Sequence, residues 1–179
     1  MQKIPTIFKR DYSHTYRVTK EINPECQWVF DGDGVAYRKY QGMAAMIKDG
    51  LYYKRIIIKK DQLIPENFIL VTQDQQSKKQ FGWLPVDFEH PQDQYYAKAY
   101  NPNYLDGTYE LIGPHILNNY EKVTNDQLVR HDFYPIIPLK RNYTTIRKYL
   151  KRVDFEGIVF HHCDGRMAKI KKKDFGYVR

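Results

Sequence analysis

Hydrophobic and polar residues alternate over several short stretches of this chain, as they do in β-strands that have one buried face. β-Branched and aromatic residues, which favour strands, are concentrated in the same stretches. The pattern predicts strands at Met43 to Lys48, Leu51 to Ile58, Phe68 to Thr72, Thr108 to Ile112, Phe155 to His162 and Met167 to Lys172. The chain is therefore expected to be rich in β-structure.

Two Asp-Gly pairs separate predicted strands and are expected to form hairpin turns. A two-residue type I′ turn needs a positive φ at both residues, which Asp tolerates and Gly adopts freely. A loop of this kind at Asp49-Gly50 places Arg55 opposite Ala44. At Asp164-Gly165 the same loop pairs Phe160 with Lys169, Ile158 with Lys171 and Glu156 with Lys173.

One segment has apolar residues at helical spacing. A helix is predicted from Thr144 to Val153, with Thr144 as its N-cap. Its apolar stripe consists of Ile146, Tyr149, Leu150 and Val153. Its other face is basic and is either a solvated surface or a track for phosphate groups. The basic residues are Arg147, Lys148, Lys151 and Arg152.

Length and charge indicate one folded domain with an acidic partner. The chain has 179 residues, 42% of them hydrophobic, and is long enough to bury a core. Lys and Arg outnumber Asp and Glu by 29 to 21, which suits a polyanion. The sequence contains no apolar run of membrane-spanning length and no signal-peptide pattern at its start. We therefore expect one domain over residues 1–179 in a cytoplasmic protein without a membrane partner.

Lys39 has the surroundings of a nucleophilic lysine. A lysine amine attacks phosphorus only when it is neutral, and neighbouring cations both lower its pKa and hold phosphate oxygens. Lys39 is expected in a bend before Gly42, which lets the backbone approach a nucleotide closely. The first predicted hairpin brings Arg55 back to this bend. Arg55 then either grips phosphate or ribose oxygens or faces solvent on a basic strand.

The second predicted hairpin carries the other charged groups. Glu156, Lys169 and Lys171 are expected on one face, where the lysines hold a phosphate and Glu156 binds Mg²⁺ or orients the attacking amine. The alternative is an edge hairpin whose lysines prevent aggregation. Glu110 lies among uncharged residues, and burying it without a partner is costly, so we expect it to bond a ribose hydroxyl.

Four motifs resemble those of covalent nucleotidyltransferases, the superfamily of polynucleotide ligases and RNA capping enzymes. Lys39-Tyr40-Gln41-Gly42 resembles motif I, Tyr109-Glu110-Leu111 motif III, Glu156-Gly157-Ile158-Val159 motif IV and Lys169-Ile170-Lys171 motif V. Gly107 to Pro114 and Glu156 to Phe175 resemble the ATP-dependent 5′-to-3′ RNA ligase 1 family, including its small bacterial and phage members. The resemblance covers most of the chain.

This resemblance implies an α+β nucleotidyltransferase (ligase adenylation) domain, with antiparallel sheets flanked by helices around a nucleotide cleft. It implies that Lys39 takes AMP from ATP, that AMP passes to an RNA 5′-phosphate, and that a 3′-hydroxyl then displaces it. Mg²⁺ or Mn²⁺ is the implied cofactor, with Glu156 as a metal ligand. The implied nucleotide-binding residues are Tyr40, Gly42, Arg55, Glu110, Glu156, Lys169 and Lys171. A phage-encoded member would act in the host cytoplasm.

Two features depart from the family pattern. Gln41 stands where motif I commonly has Asp, Asn or His. The sequence ends eight residues after Lys171, so RNA contacts are expected from the catalytic domain and not from an appended domain. The candidates for stacking on adenine are Phe133 and Tyr134. The alternative functions are a DNA ligase, a GTP-dependent capping-type nucleotidyltransferase and a non-catalytic RNA-binding module on the ligase scaffold.

Overall fold

Antiparallel sheets with few helices form the part of the chain that this computed structural model describes, residues 4–178. The strands are β1 (Phe8–Arg10), β2 (Val18–Ile22), β3 (Val35–Lys39), β4 (Met43–Lys48), β5 (Leu51–Ile58), β6 (Ile69–Gln73), β7 (Gln80–Pro85), β8 (Gly107–Ile112), β9 (Gln127–Arg130), β10 (Gly157–His161) and β11 (Met167–Lys171). The α-helices are α1 (Gln27–Phe30), α2 (Gln94–Ala99) and α3 (Tyr143–Arg152). Short 3-10 helices span Pro24–Cys26, Pro91–Asp93, Leu117–Asn119, His131–Phe133 and Lys172–Phe175. This mixture agrees with the predicted α+β class.

The described chain divides into two compact units. The first unit contains Gln41–Phe133, and the second contains Ile4–Tyr40 and the chain from Tyr134 onward. The single domain expected over residues 1–179 stays a prediction. Between residues 4 and 178, none of the helices has the length and apolar character needed to cross a membrane.

The first unit is built on a six-stranded sheet in the order β6-β7-β5-β4-β8-β9, with every neighbouring pair antiparallel. Strands β4 and β8 supply the middle of its core, and α2 packs against it. The buried residues include Ala45, Ile47, Tyr96, Tyr109 and Leu111. This core accounts for the apolar alternation of the predicted strands.

The turn at Asp49-Gly50 confirms the first hairpin prediction. Both residues have a positive φ, 53° at Asp49 and 74° at Gly50, as a two-residue turn requires. Pairing runs from Lys48 with Leu51 to Ala45 with Lys54. The next step of this register places Arg55 opposite Ala44, as the sequence predicted.

The second unit contains a three-stranded antiparallel sheet in the order β11-β10-β3. Both of its outer edges are covered by other backbone. The Ile7 N–H donates to the Lys169 carbonyl (3.0 Å), and the Ile137 N–H donates to the Ala36 carbonyl (2.8 Å). The β10–β11 hairpin is therefore not a sheet edge, which argues against lysines that serve only to prevent aggregation.

The register of the β10–β11 hairpin differs from the prediction by one residue. Its pairs are Gly157 with Lys171, Ile158 with Ile170, Val159 with Lys169, Phe160 with Ala168 and His161 with Met167. The loop has three residues because His162 pairs with Arg166, and Gly165 takes the left-handed conformation (φ 90°) that closes such loops. The predicted pairings of Phe160 with Lys169, Ile158 with Lys171 and Glu156 with Lys173 are therefore wrong.

One face of the three-stranded sheet packs on α3 and on aromatic residues. The buried residues of this core include Ala36, Ile158, Phe160, Ala168, Ile170, Phe8 and Phe175 from outside the helix, and Ile146 and Leu150 from α3. The N-cap of α3 is Asn142, whose side chain accepts from the Thr145 N–H (2.9 Å), so the prediction of Thr144 as the cap is wrong. The predicted apolar stripe is confirmed, since Tyr149 and Val153 also pack against this core.

Candidate active site

Three lysines and one glutamate of the second unit form the candidate site, which we call the lysine cluster: Lys39, Lys169, Lys171 and Glu156. The Lys39 Nζ lies 2.7 Å from Glu156 Oε2, and the Lys171 Nζ contacts Glu156 Oε1. The Lys39 Nζ also donates to the Tyr40 carbonyl at 3.0 Å. All three side chains of this ion-pair network are less than one-fifth exposed.

Sheet pairing brings these lysines together. Gly157 of β10 pairs with Lys39 on one side and with Lys171 on the other, so the three residues lie in one row on the same face. Val159 pairs with Lys169 in the next row of that face. A Cβ at Gly157 would lie 2.2 Å from the Ile170 carbonyl oxygen, so this position is restricted to glycine. The space between Lys39 and Lys171 therefore carries no side chain of its own.

Glu156 reaches the lysines from a bend that precedes β10. The Lys172 N–H donates to the Glu156 carbonyl (2.9 Å), and the Lys172 Nζ donates to the Val153 carbonyl (2.6 Å). Lys172 is buried, and it fixes both ends of the segment that carries Glu156. The predicted grouping of Glu156 with Lys171 is thus present, but the bend produces it rather than strand pairing.

A buried ion pair holds the end of β11. The Asp174 carboxylate accepts from the Lys171 backbone N–H (2.8 Å) and from the Arg10 guanidinium (2.6 Å). The Asp174 side chain is only 3% exposed, so its charge depends on these two partners. The sequence reasoning missed this support because Arg10 and Asp174 are 164 residues apart.

Charge is unevenly balanced in the lysine cluster. Burial raises the pKa of Glu156, but the combined effect of Lys39 and Lys171 lowers it by more than burial raises it. The net shift of the pKa is therefore downward, and the carboxylate is ionised. Burial, together with Lys171 and Lys39, lowers the pKa of Lys169 to about 8. Within residues 4–178 the Lys169 ammonium makes no hydrogen bond or ion pair. The cluster therefore has three cations for one carboxylate, which favours an anionic ligand.

Replacing Lys169 by Met is expected to stabilise the protein at neutral pH. The pKa of Lys169 is about 8 in the folded protein and 10.5 without its surroundings, so the unfolded chain binds more protons between these values. The contribution of this group to stability therefore rises with pH across that window, and charged Lys169 costs stability below it. We expect the free energy of unfolding to increase by roughly 1–3 kcal/mol at pH 7.

Urea unfolding at pH 7 and pH 9.5 measures this effect. The gain for Lys169→Met should be smaller at pH 9.5, where folded wild type has already lost the proton. Lys20→Met, at an exposed position of β2, serves as the control and should change stability by less than about 0.5 kcal/mol. A Lys169 variant that is less stable than wild type at pH 7 would contradict the electrostatic account.

Glu110 lies in a separate group in the first unit. Its Oε1 accepts from the Gly42 N–H (3.0 Å), and its Oε2 lies 3.1 Å from His131 Nε2. His131 Nδ1 lies 2.8 Å from Thr108 Oγ1. These partners satisfy the buried carboxylate within the protein, so a ribose hydroxyl is not required to explain its burial. A ribose contact at Glu110 stays a prediction.

Gly42 is required by packing in the first unit. A Cβ at this position would lie 2.1 Å from the Leu111 carbonyl oxygen and 2.8 Å from the Glu110 side chain. The preceding Gln41 donates its N–H to Glu121 Oε1 at 2.9 Å. The structure therefore gives Gly42 a structural reason to be glycine, and its approach to a nucleotide stays a prediction.

Arg55 is partly buried among aromatic side chains. Its guanidinium carbon lies 5.8 Å from the centre of the Phe81 ring and 5.9 Å from that of Trp83. Burial lowers the pKa of Arg55, and the negative charge of Glu110 opposes this shift. The neighbouring Lys54 pairs with the buried Asp93 (2.6 Å to Oδ2), so these two residues do not form a fully solvated basic strand.

The aromatic candidates for adenine stacking differ in exposure. Tyr134 is 5% exposed, and its ring centre lies 4.8 Å from that of Tyr40. The Arg38 guanidinium lies 4.5 Å from the centre of the Tyr40 ring. Phe133 of the first unit is 79% exposed and is the more accessible of the two candidates. Tyr40 thus has a packing role in the second unit, and its nucleotide contact stays a prediction.

No protein-family model matches this sequence, and no curated protein matches it. The function must therefore be inferred from the chemistry of the residues. The lysine cluster combines a primary amine, a hydrogen-bonded carboxylate and two further cations. Such a set can bind phosphate, accept a proton from the amine and stabilise negative charge that develops on phosphorus.

Proposed function

We propose that this protein is an ATP-dependent RNA ligase that forms a lysyl-AMP intermediate on Lys39, within a nucleotidyltransferase fold. The observation that carries the proposal is the shared carboxylate of Glu156, which contacts both the Lys39 and Lys171 ammonium groups. Lys39 of motif I lies 117 residues before Glu156 of motif IV, and Lys171 of motif V lies 15 residues after Glu156. These contacts bring the three motifs into one cluster. If the motif matches were due to chance, Lys39, Glu156 and Lys171 would not be expected to form ion pairs with one another.

In the proposed first step, the neutral amine of Lys39 attacks the α-phosphorus of ATP. A nitrogen–phosphorus bond forms, the bond to the bridging oxygen breaks, and pyrophosphate leaves with that electron pair. Glu156 is suited to accept the amine proton, because its Oε2 already lies 2.7 Å from the Lys39 Nζ. Lys171 and Lys169 then face the developing charge on the α-phosphate oxygens.

Glu156 is the residue of the lysine cluster that would hold a divalent cation, together with the phosphates of ATP. Within residues 4–178 no group of three or more His, Cys, Asp or Glu side chains is placed to hold a metal alone. Mg²⁺ at nucleotide sites is commonly bound by one or two carboxylates together with phosphates and water, and Glu156 supplies one carboxylate. Bound Mg²⁺ or Mn²⁺ would neutralise phosphate charge and assist departure of pyrophosphate.

RNA is the proposed acceptor. The resemblance of Gly107 to Pro114 and of Glu156 to Phe175 to RNA ligases supports this choice, as does the basic character of the chain. AMP would pass from Lys39 to an RNA 5′-phosphate, and an RNA 3′-hydroxyl would then displace AMP and join the ends. Arg55, Glu110, Tyr40 and Gly42 keep their predicted nucleotide contacts within this proposal.

Labelling with α-³²P-ATP tests the function. Wild type incubated with labelled ATP and Mg²⁺ should acquire acid-labile label that survives denaturing electrophoresis, and a 5′-phosphorylated RNA should then discharge it. Labelled GTP should give at most a small fraction of that signal. Stronger labelling by GTP would indicate a capping-type enzyme, and preferential discharge by nicked DNA would indicate a DNA ligase. RNA binding without any adduct would refute the enzymatic proposal.

A further inference from the structure

The net positive charge of this chain comes from one of its two units. The sequence of the first unit, including residues 1–3, contains 11 basic and 12 acidic residues, a net charge of −1. The sequence of the second unit contains 18 basic and 9 acidic residues, a net charge of +9. The excess of +8 in the whole chain therefore belongs to the second unit, and the lysine cluster accounts for only part of it.

Much of the remaining charge lies on the outer face of α3. Arg147, Lys148, Lys151 and Arg152 are all exposed, as the sequence predicted. Arg147 donates to the Tyr177 hydroxyl at 3.0 Å. Within residues 4–178 the other three make no ion pair with a carboxylate. We call Lys148, Lys151 and Arg152 the basic face of α3.

This arrangement costs helix stability. Arg147 with Lys151, and Lys148 with Arg152, are like charges four residues apart, and such pairs destabilise a helix. Residues 133–153 contain no Asp or Glu to offset them. An ordinary solvated helix face mixes charges of both signs. Lys151 and Arg152 lie in the last turn, where the helix dipole favours cations, and a bound polyanion would offset the repulsion that remains.

The chemistry of α3 favours a phosphodiester backbone over a lipid surface. A helix that lies on a membrane inserts an exposed apolar face between lipids, whereas Ile146 and Leu150 of α3 are fully buried in the core of the second unit. The exposed cations are long side chains on a rigid helix about 15 Å in length, which suits several successive phosphates. The helix packs on the face of the three-stranded sheet formed by Ile158, Phe160, Ala168 and Ile170, whereas the lysine cluster lies on the opposite face. The outer face of α3 is therefore a surface separate from the lysine cluster.

We propose that the basic face of α3 binds the phosphate backbone of a nucleic acid without reading its bases. Between Tyr143 and Arg152 the exposed side chains include no aromatic residue that could stack on a base, because Tyr143 and Tyr149 pack against the core. Binding is therefore expected to depend steeply on salt and little on sequence. The choice of RNA as the main probe rests on the proposed ligase function.

The triple variant Lys148→Gln, Lys151→Gln, Arg152→Gln tests this surface. Fluorescence anisotropy with a labelled 20-nucleotide RNA, and with DNA of the same sequence, gives Kd at several salt concentrations. Loss of three phosphate contacts should reduce the slope of log affinity against log salt by about 2, for RNA and DNA alike. Raising salt from 50 to 200 mM should then weaken the variant about 20-fold less than wild type. Gln retains good helix propensity, so α3 should persist.

The matched control is Lys60→Gln, Lys78→Gln, Lys79→Gln, which removes the same charge from exposed positions of the first unit. This control should keep the wild-type slope. Equal loss of slope in both variants, or tighter binding of wild type to phosphatidylserine vesicles than to RNA, would overturn the proposal. Adenylylation of the triple variant by ATP alone should equal that of wild type. If wild type is not adenylylated but its salt slope still exceeds that of the triple variant, the ligase function is refuted and the proposed binding surface on α3 is supported.

Discussion

Replacing Lys39 by Arg should abolish the covalent adduct while leaving the fold and the binding of ATP largely unchanged. In wild type the Lys39 Nζ lies 2.7 Å from Glu156 Oε2, and Arg keeps the positive charge that pairs with this carboxylate. A guanidinium is not deprotonated in proteins, so it offers no neutral nitrogen for attack on phosphorus. We expect adduct formation to fall by at least about 1,000-fold, as it does when other enzymes lose a nucleophile.

Label incorporated per minute from α-³²P-ATP measures this loss, and equilibrium binding of ATP measures what is retained. Lys173→Arg is the matched control, because Lys173 is an exposed lysine two residues beyond the cluster. This control should label at the wild-type rate. Substantial labelling of Lys39→Arg would show that another residue carries the nucleotide.

Replacing Glu156 by Gln should also cause a large loss, for a different reason. The amide has nearly the same shape, but it neither accepts a proton readily nor balances the charge of Lys39 and Lys171. The rate of adduct formation should fall by roughly 100- to 10,000-fold, the usual contribution of a positioned acid or base. The free energy of unfolding should fall by about 3 kcal/mol, because buried cations lose their carboxylate.

Labelling rates and urea unfolding of the same samples separate these two effects. Pyrophosphate should stabilise Glu156→Gln more than wild type, since an anion replaces the missing charge. Glu25→Gln, an exposed carboxylate of the second unit, should behave as wild type in both assays. A Glu156→Gln protein with wild-type labelling would remove this residue from the proposed first step.

The number of residues in each turn decides whether the register of a hairpin can be predicted from sequence. The Asp49-Gly50 turn is predictable from sequence, because two residues of positive φ close it and fix the register of β4 and β5. The same dipeptide at Asp164-Gly165 lies in a three-residue loop, and the register there moved by one. A dipeptide signal does not reveal whether the residue before it pairs or joins the loop.

The grouping of the lysines was predictable, but the position of Glu156 was not. Strand alternation correctly places Lys169 and Lys171 on one face, opposite the buried Ala168 and Ile170. Glu156 stands one residue before β10, and its direction is set by hydrogen bonds from Lys172. Such tertiary contacts leave no trace in hydrophobic periodicity.

His131 was missed for a similar reason. It follows β9, a four-residue strand that the hydrophobic pattern did not reveal. Its contact with Glu110 depends on the pairing of β8 with β9, which aligns Tyr109 with Arg130. Without that register, the sequence offered only a buried glutamate that lacked a partner.

The identity of the attacking lysine is the central claim. Lys169 has a pKa near 8 and is therefore neutral more often than an ordinary lysine at neutral pH. Lys39, by contrast, ends its strand and hydrogen-bonds the carboxylate that is proposed to accept its proton. Proton transfer to Glu156 favours Lys39, whereas a low pKa alone would favour Lys169.

Peptide mapping by mass spectrometry after incubation with ATP and Mg²⁺ distinguishes these two residues directly. The proposed mechanism predicts one adenylyl group per chain, attached to Lys39, and its absence from Lys39→Arg. An adenylyl group on Lys169, or an unmodified chain under conditions in which ATP is bound, would contradict it.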